Sequence, residues 1–356
     1  MPALRRGEGS MQLINQTPLA AELQVTDVGE QRDGSRKRAC LVVAKATFHI
    51  DAGRLSLVEH DPVEVLWNER PSELGLLPRD MVPPRPCSGL EVALLGAAYP
   101  EGGAPTTERY VRMRVGDLTR SLRVVGDREW AGGVASSPQP FTRMPLTWER
   151  AFGGTAEVWI DDHTALPLLH RWNALGRGLD AEAMAKAVAE HHGAAPSFPR
   201  LEYTRMLPNL EHPASPITSP RDEPEPYCWA PLPFELGLRL KWQAEAREQR
   251  RPELESDWGV WFAHRDWRLP EAPPQGAPVV VEGCRPRGAP FWFAWPAIRV
   301  VADYVLGSKS GSQVLFPELL VLMPEQSRAT LTYRRWFRFT KSGDGIERSI
   351  RLRVEG

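Results

Sequence analysis

The residues in this chain that could carry chemistry are few and scattered. Asp161-Asp162-His163 puts two carboxylates beside an imidazole, a grouping able to hold a metal or move a proton, but no second set of ligands stands at a known spacing, so a solvated loop is the preferred reading. His191 and His192 point about 100° apart on a helix, which makes them poor joint ligands and natural helix-end charges. Cys40, Cys87, Cys228 and Cys284 are far apart, with no C-x-x-C spacing, and read as buried thiols of a reducing compartment. The nucleophile elbow, phosphate loop, zinc-binding helix and dinucleotide fingerprint all fail to occur. No catalytic residue, metal or cofactor is therefore assigned.

Aromatic and basic residues offer binding chemistry instead. Trp242, Trp258, Trp261, Trp267, Trp292 and Trp295 place six of the 13 tryptophans in a short part of the C-terminal half. They either fill a core between sheets, the commoner fate of tryptophan, or anchor a sugar or a protein partner. The run Phe291 to Trp295 (FWFAW) keeps the second option open, because successive strand residues face opposite ways and both faces need cover. Arg112, Arg114 and Arg123, then Arg334, Arg338, Arg351 and Arg353, form stripes on hairpins. With 44 basic against 45 acidic residues and a net charge of -1, these stripes read as solvated or salt-bridged faces, not as a nucleic-acid footprint.

The elements that must position these residues are mostly strands. The 356 residues suit about two domains. The 34 prolines, twice the usual share, fall between apolar runs and make the chain turn-rich. From Cys40 to Ile50 the even-numbered residues are apolar and Lys45, Thr47 and His49 occupy the other face, predicting a strand half-buried towards its end. Asp51-Ala52-Gly53 turns it into a return strand over Arg54 to Glu59. A second hairpin joins Val111–Val115 to Leu118–Val124 through Gly116-Asp117. A third pairs the stretch carrying Leu331, Tyr333, Phe337 and Phe339 with that carrying Ile346, Ile350, Leu352 and Val354, across a Lys341–Gly345 turn. Further strands are expected at Pro278–Val281, Ala297–Leu306 and Val314–Met323.

Helical signals are mostly central. Asp180 to His192 has Asp180 as N-cap, Met184 and Val188 as an inner stripe, and Gly193 as a stop. Trp242 to Arg251 reads as a surface helix ending before Pro252. Polar, proline-rich links run over Glu211–Pro226 and Leu269–Pro278. The expected fold is mainly β, built of antiparallel, sandwich-like β modules with a small mixed and helical central segment. Its segments are residues 1–140, an N-terminal β module; 141–226, a mixed segment with short helices; and 227–356, an aromatic-rich β module. The N-terminus lacks an apolar stretch of signal-peptide length, and no run is long enough to span a bilayer, which predicts a cytoplasmic protein without membrane insertion.

One stretch explains itself locally. In Pro140 to Gly154 (PFTRMPLTWERAFGG), Pro145 opens a short helix, and Leu146, Trp148 and Phe152 bury their side chains. Glu149 and Arg150 supply charge-assisted hydrogen bonds for otherwise unpaired loop backbone, and Gly153 and Gly154 let the chain leave with positive φ. This predicts a structural clasp between modules, preferred to a partner contact.

The same stretch, with Asn15–Pro18 (NQTP), Val42–Ile50 (VVAKATFHI), Gly96–Gly103 (GAAYPEGG), Arg120–Trp130 (RSLRVVGDREW), Leu207–Glu211 (LPNLE) and Trp229–Pro233 (WAPLP), resembles the bacterial domain-of-unknown-function family 2169 (DUF2169) over most of the chain. That family is associated with type VI secretion clusters. The resemblance implies a non-enzymatic adaptor or chaperone that binds a toxic effector protein and helps load it onto the valine-glycine-repeat (VgrG) spike, without nucleic acid. The effector surface is expected in the aromatic-rich half, at Trp258, Trp261, Trp267, Phe291, Trp292 and Trp295, where the resemblance fades. The rival readings are a carbohydrate-active enzyme or sugar-binding module using those tryptophans, and an immunity protein that blocks a toxin.

Overall fold

The computed structural model describes residues 11–30, 36–82, 89–159, 163–170, 172–191, 200–232, 248, 261–340 and 348–355. The protein is mainly β, with several antiparallel sheets; among the described residues the α-helix with defined bounds is short. Its chain divides into two compact units, each assembled from separated stretches: residues 1–93, 234–279 and 292–356 in the first, 94–233 and 280–291 in the second. The three contiguous segments drawn from composition do not coincide with these units.

The first unit is organised around the strand Arg36–Asp51. It lies in a seven-stranded sheet between Ala20–Glu30 and Arg328–Thr340, followed outward by Phe316–Met323, Leu90–Leu94 and Arg268–Leu269. The short Arg54–Leu57 completes it by pairing back on Arg36–Asp51 across a two-residue turn. Ala52 and Gly53 in that turn have φ of 46° and 85°, the mirror-image geometry that matches strand twist.

Sequence alternation predicts a half-buried strand here, but Cys40 to Phe48 is buried throughout, Lys45 and Thr47 included. Both faces are covered. On the face with Tyr333 and Phe337, Tyr304 of a four-stranded sheet packs against Phe337, ring centroids 5.4 Å apart. That second sheet runs in the order Met11–Asn15, Arg348–Glu355, Arg299–Leu306, Lys309–Val314. On the opposite face, Leu41 and Val43 pack with Val65, Met81 and Trp336 beneath the loop that follows the first hairpin.

Under that loop sits a buried ionic cluster. Lys45 Nζ lies 2.8 Å from Asp80 Oδ2, which also accepts the Leu66 backbone N–H at 2.8 Å. Thr332 donates to Asp80 Oδ1 at 2.9 Å, and Arg334 Nε donates to the Asp80 backbone carbonyl at 2.8 Å. Arg334, which the sequence placed on an outer stripe, is 1% exposed because this loop folds over it.

A second correction concerns the closing hairpin. Arg328–Thr340 and Arg348–Glu355 are both strands, but they do not pair. The first has its two edges occupied by Arg36–Asp51 and Phe316–Met323, and the second pairs with Arg299–Leu306 and, in parallel, with Met11–Asn15. Residues 341–347 between them, including the anticipated turn, lie outside the described residues.

In the second unit the hairpin of Glu108–Val115 and Leu118–Val125 forms as expected, with Gly116 at φ 59° in its two-residue turn. Two of the arginines named from the sequence have acidic partners, and the third, Arg114, donates to the Gly116 carbonyl at 2.8 Å. Arg123 bonds Glu108 and Glu211 at 2.7 and 2.6 Å, and Arg112 pairs with Glu282. The hydrogen bond from Arg123 holds the Glu108 carboxyl below its usual range.

The helix Ala181–His191 begins where the sequence places it, with Asp180 Oδ1 accepting the Ala183 N–H at 3.0 Å. Its inner contacts are Ala181, Ala185 and Met184 against Ala156, Val158 and Leu168 of a small sheet ordered Ala165–Leu169, Thr155–Trp159, Arg200–Glu202. The side chain of Val188 and the anticipated helix at 242–251 lie outside the described structure.

Cys40, Cys228 and Cys284 are buried and not joined in disulfides, and Cys87 lies outside the described residues. Burial pushes the Cys40 and Cys228 thiols up to about 12. Both should resist iodoacetamide at pH 8 in the native protein and react after denaturation, read by intact mass, since the thiolate is the nucleophile. The sign with pH follows. Unfolded thiols ionise first, so this stabilisation is complete below about pH 9 and lost as pH climbs towards 12.

Candidate functional site

The stretch Pro145–Gly154 lies wholly within the second unit, where its groups bond to neighbouring segments. Met144–Pro145 pairs with Ala97–Ala98. Leu146 is fully buried, its N–H donating to the Gly96 carbonyl at 3.0 Å and its carbonyl accepting the Cys228 thiol at 3.6 Å. Trp148 fills the core, and its Nε1 donates to the Ala230 carbonyl at 3.0 Å.

Arg150 Nη1 donates to Asn209 Oδ1 at 2.9 Å and Asp127 Oδ1 at 3.2 Å, side-chain partners where the sequence predicted loop backbone. Glu149 is exposed, and its contribution here is the backbone carbonyl that accepts Arg177 Nε at 2.9 Å. Phe152 is buried edge-on to His170. Gly153 and Gly154 take φ of 137° and 130°, and Asn173, fully buried, donates from its amide to the carbonyls of Trp148 and Phe152. The motif fastens together segments that are far apart in the chain, around Gly96, Asn173 and Ala230, all of them within the second unit.

The aromatic cluster anticipated as a docking face does not present itself as one. Trp267 and Phe291 are fully buried, and Trp261 and Trp295 nearly so. Trp261 lies under the Arg268 guanidinium at 5.0 Å, and Phe291 under Arg285 at 5.1 Å. Strand alternation explains the exception. In Phe291–Ala294 the odd residues turn inward and Trp292 turns out, 46% exposed, its indole lying against the turn glycine Gly53. Trp258 lies outside the described residues, as do Asp161 and Asp162, while His163 is exposed. Among the described residues no cluster of three or more His, Cys, Asp or Glu side chains is arranged to hold a metal, and no helix is long and apolar enough to cross a membrane.

Two surfaces of the second unit emerge that the sequence reading did not single out. One is the edge strand Ala165–Leu169 of the three-stranded sheet. Its register pairs Leu168 with Ala156 on the helix-covered face, which puts Pro167 and Leu169 on the other. Thr155, paired with Leu169, donates to the Ala174 carbonyl at 2.7 Å and so brings the loop carrying Leu175 alongside. Leu166, Leu169 and Leu175 are 42–47% exposed. The ALPLL run is readable as apolar, but its exposure depends on a sheet three strands wide with a helix on one side.

The other surface is a cleft of about 430 Å³. One wall is the hairpin of Trp130–Ala131 and Val134–Ala135, turned by Gly132-Gly133. The opposing wall is the start of the helix, with Asp180 and Glu182, and Tyr203 to Arg205 lies between. Tyr203 Oη donates to Glu182 Oε1 at 3.0 Å. Burial and the neighbouring Glu182 push the Tyr203 hydroxyl above its ordinary pKa. A Gly-Gly pair between short apolar runs is a hairpin signal, and would have drawn attention to Trp130.

The fold and these surfaces define a mainly β scaffold whose most distinctive sequence motif serves internal hydrogen bonding and whose second unit exposes an apolar strand edge and a polar cleft. The chain belongs to the DUF2169 family, described as an uncharacterized protein conserved in bacteria, whose model matches residues 35–334. No curated protein and no solved structure matches it.

Proposed function

We propose that this protein is a non-catalytic adaptor that acts in the cytoplasm, holding a type VI effector and bringing it to the VgrG spike. The family resemblance supplies the role. The observation that carries a binding function is the exposed leucines at the edge strand: Leu169 is 47% exposed on the face turned from the helix, and the Thr155 hydroxyl, on the residue paired with it, holds the Ala174 carbonyl of the loop whose Leu175 is 46% exposed. Exposed apolar side chains gathered in one region mark interaction sites on soluble proteins. The effector is therefore assigned to this face of the second unit.

Co-purification from cells expressing the neighbouring genes tests the reading. The expected result is a stable complex with one toxin and one spike protein. Leu169→Asp combined with Leu175→Asp should weaken effector capture at least tenfold, about 1.4 kcal/mol or more, while leaving the melting temperature within a few degrees. Unchanged capture by the double variant would remove the leucine face from the proposal. Inhibition of the toxin's activity, with no spike in the complex, would replace the adaptor with an immunity protein.

A further inference from the structure

We propose that the cleft bounded by Trp130, Asp180, Glu182, Tyr203 and Arg205 is a binding site for a small neutral polyhydroxylated ring, a ligand of the sugar class. The site is separate from the leucine face and does not depend on the adaptor reading.

Size and chemistry together select the ligand. A volume of about 430 Å³ lies within the range of small-molecule pockets, roughly 300–1,000 Å³. Its polar groups are of both kinds: Asp180 and Glu182 accept hydrogen bonds, Arg205 donates them, and Thr204 does either. A cation entering the cleft would meet the guanidinium, and an anion would meet two carboxylates. A hydroxyl group, donor and acceptor at once, satisfies both sets without a net charge.

Trp130 supplies the apolar part of the recognition. It packs against the buried cluster of Phe152, Leu207 and Ile217 while also lining the cleft, so it is held in place and still offers surface to the C–H face of a ring. Two of the polar groups are likewise fixed in advance. Glu182 is held by the Tyr203 hydroxyl, and Asp180 by capping the helix. Such fixed groups lower the ordering cost of binding.

The glycines complete the site. Gly132 and Gly133, with φ of 60° and 82°, have no atom within 4 Å of where a Cβ would stand, so bare backbone borders the open space.

Saturation-transfer NMR on the full chain distinguishes the ligand chemistries. The probes are glucose, galactose, N-acetylglucosamine and their β-linked disaccharides, with arginine as the cationic arm and inorganic phosphate as the anionic arm. At least one saccharide is expected to bind with a Kd of about 1 mM or tighter, and Glu182→Gln and Arg205→Leu should each weaken it several-fold. Trp130→Leu, which keeps an apolar side chain against Phe152 and Leu207, should abolish it while the chain remains folded by circular dichroism. Binding of arginine or phosphate alone, absence of saccharide binding, or saccharide binding that all three variants retain would overturn the proposal. Loss of effector capture in the same variants is not expected, which keeps this result distinct from a failure of the adaptor reading.

Discussion

Replacing Asp80 with alanine is expected to lower the unfolding free energy by about 3–5 kcal/mol, measured by urea denaturation. Asp80 is fully buried and collects Lys45, Thr332 and the Leu66 N–H on its carboxylate, with Arg334 3.8 Å away. Its loss strands Lys45, itself 3% exposed, without the counter-charge that makes its burial tolerable. Lys45→Met alone should be similarly costly, because it leaves the carboxylate behind.

The double variant Asp80→Ala, Lys45→Met is the informative one. It should recover part of the loss, since deleting both members of a buried pair removes the orphaned charge and leaves an apolar gap in its place. Arg334 retains Glu318 at 3.4 Å in either background. A single Asp80 variant within about 1 kcal/mol of the parent would mean that water reaches the cluster.

Gly153→Ala is the second large effect, with an expected loss of about 3 kcal/mol or more. Two penalties combine at this position. The φ of 137° is one that residues with a side chain rarely adopt, and a Cβ would lie 2.1 Å from the carbonyl oxygen of Asn173. That carbonyl is not free to retreat, because it accepts the Gly154 N–H at 2.8 Å while the Asn173 amide is tied to Trp148 and Phe152. Gly102→Ala provides the comparison: φ is 70° there, but nothing stands within 4 Å, so about 1 kcal/mol is expected. Equal melting temperatures for the two variants would show that the clasp yields, and that the close packing around Gly153 does not set its cost.

Strands and tight turns were legible in the sequence because alternation and turn chemistry are local. Val111, Met113 and Val115 point inward as their spacing dictates, and Ala52-Gly53 makes the turn anticipated for it. Pairing across the chain was not. Lys45, Thr47 and Arg334 look like solvent-facing residues until Asp80, which bonds Lys45 and Arg334, and Val63, whose N–H bonds the Thr47 hydroxyl, are brought to them from another segment. The closing hairpin failed for the same reason, since a turn signal does not reveal that the edges of Arg328–Thr340 are already taken.

The candidate sites followed this division. Each group in the clasp was identifiable by type, but whether Trp267 and Phe291 are core or surface depended on what packs over them. The cleft brings together a hairpin at Trp130, a helix start at Asp180 and a segment at Tyr203, three places that no spacing rule connects.

The pairing of Arg36–Asp51 with Arg328–Thr340 also constrains how the polypeptide is born. Translation runs from one end, so the principal sheet lacks an inner strand until residue 340 has cleared the ribosome. Throughout that interval the apolar stretch around Cys40 to Phe48 is exposed to neighbours on the polysome. The nascent chain is thus expected to be more open to aggregation than its finished architecture would imply.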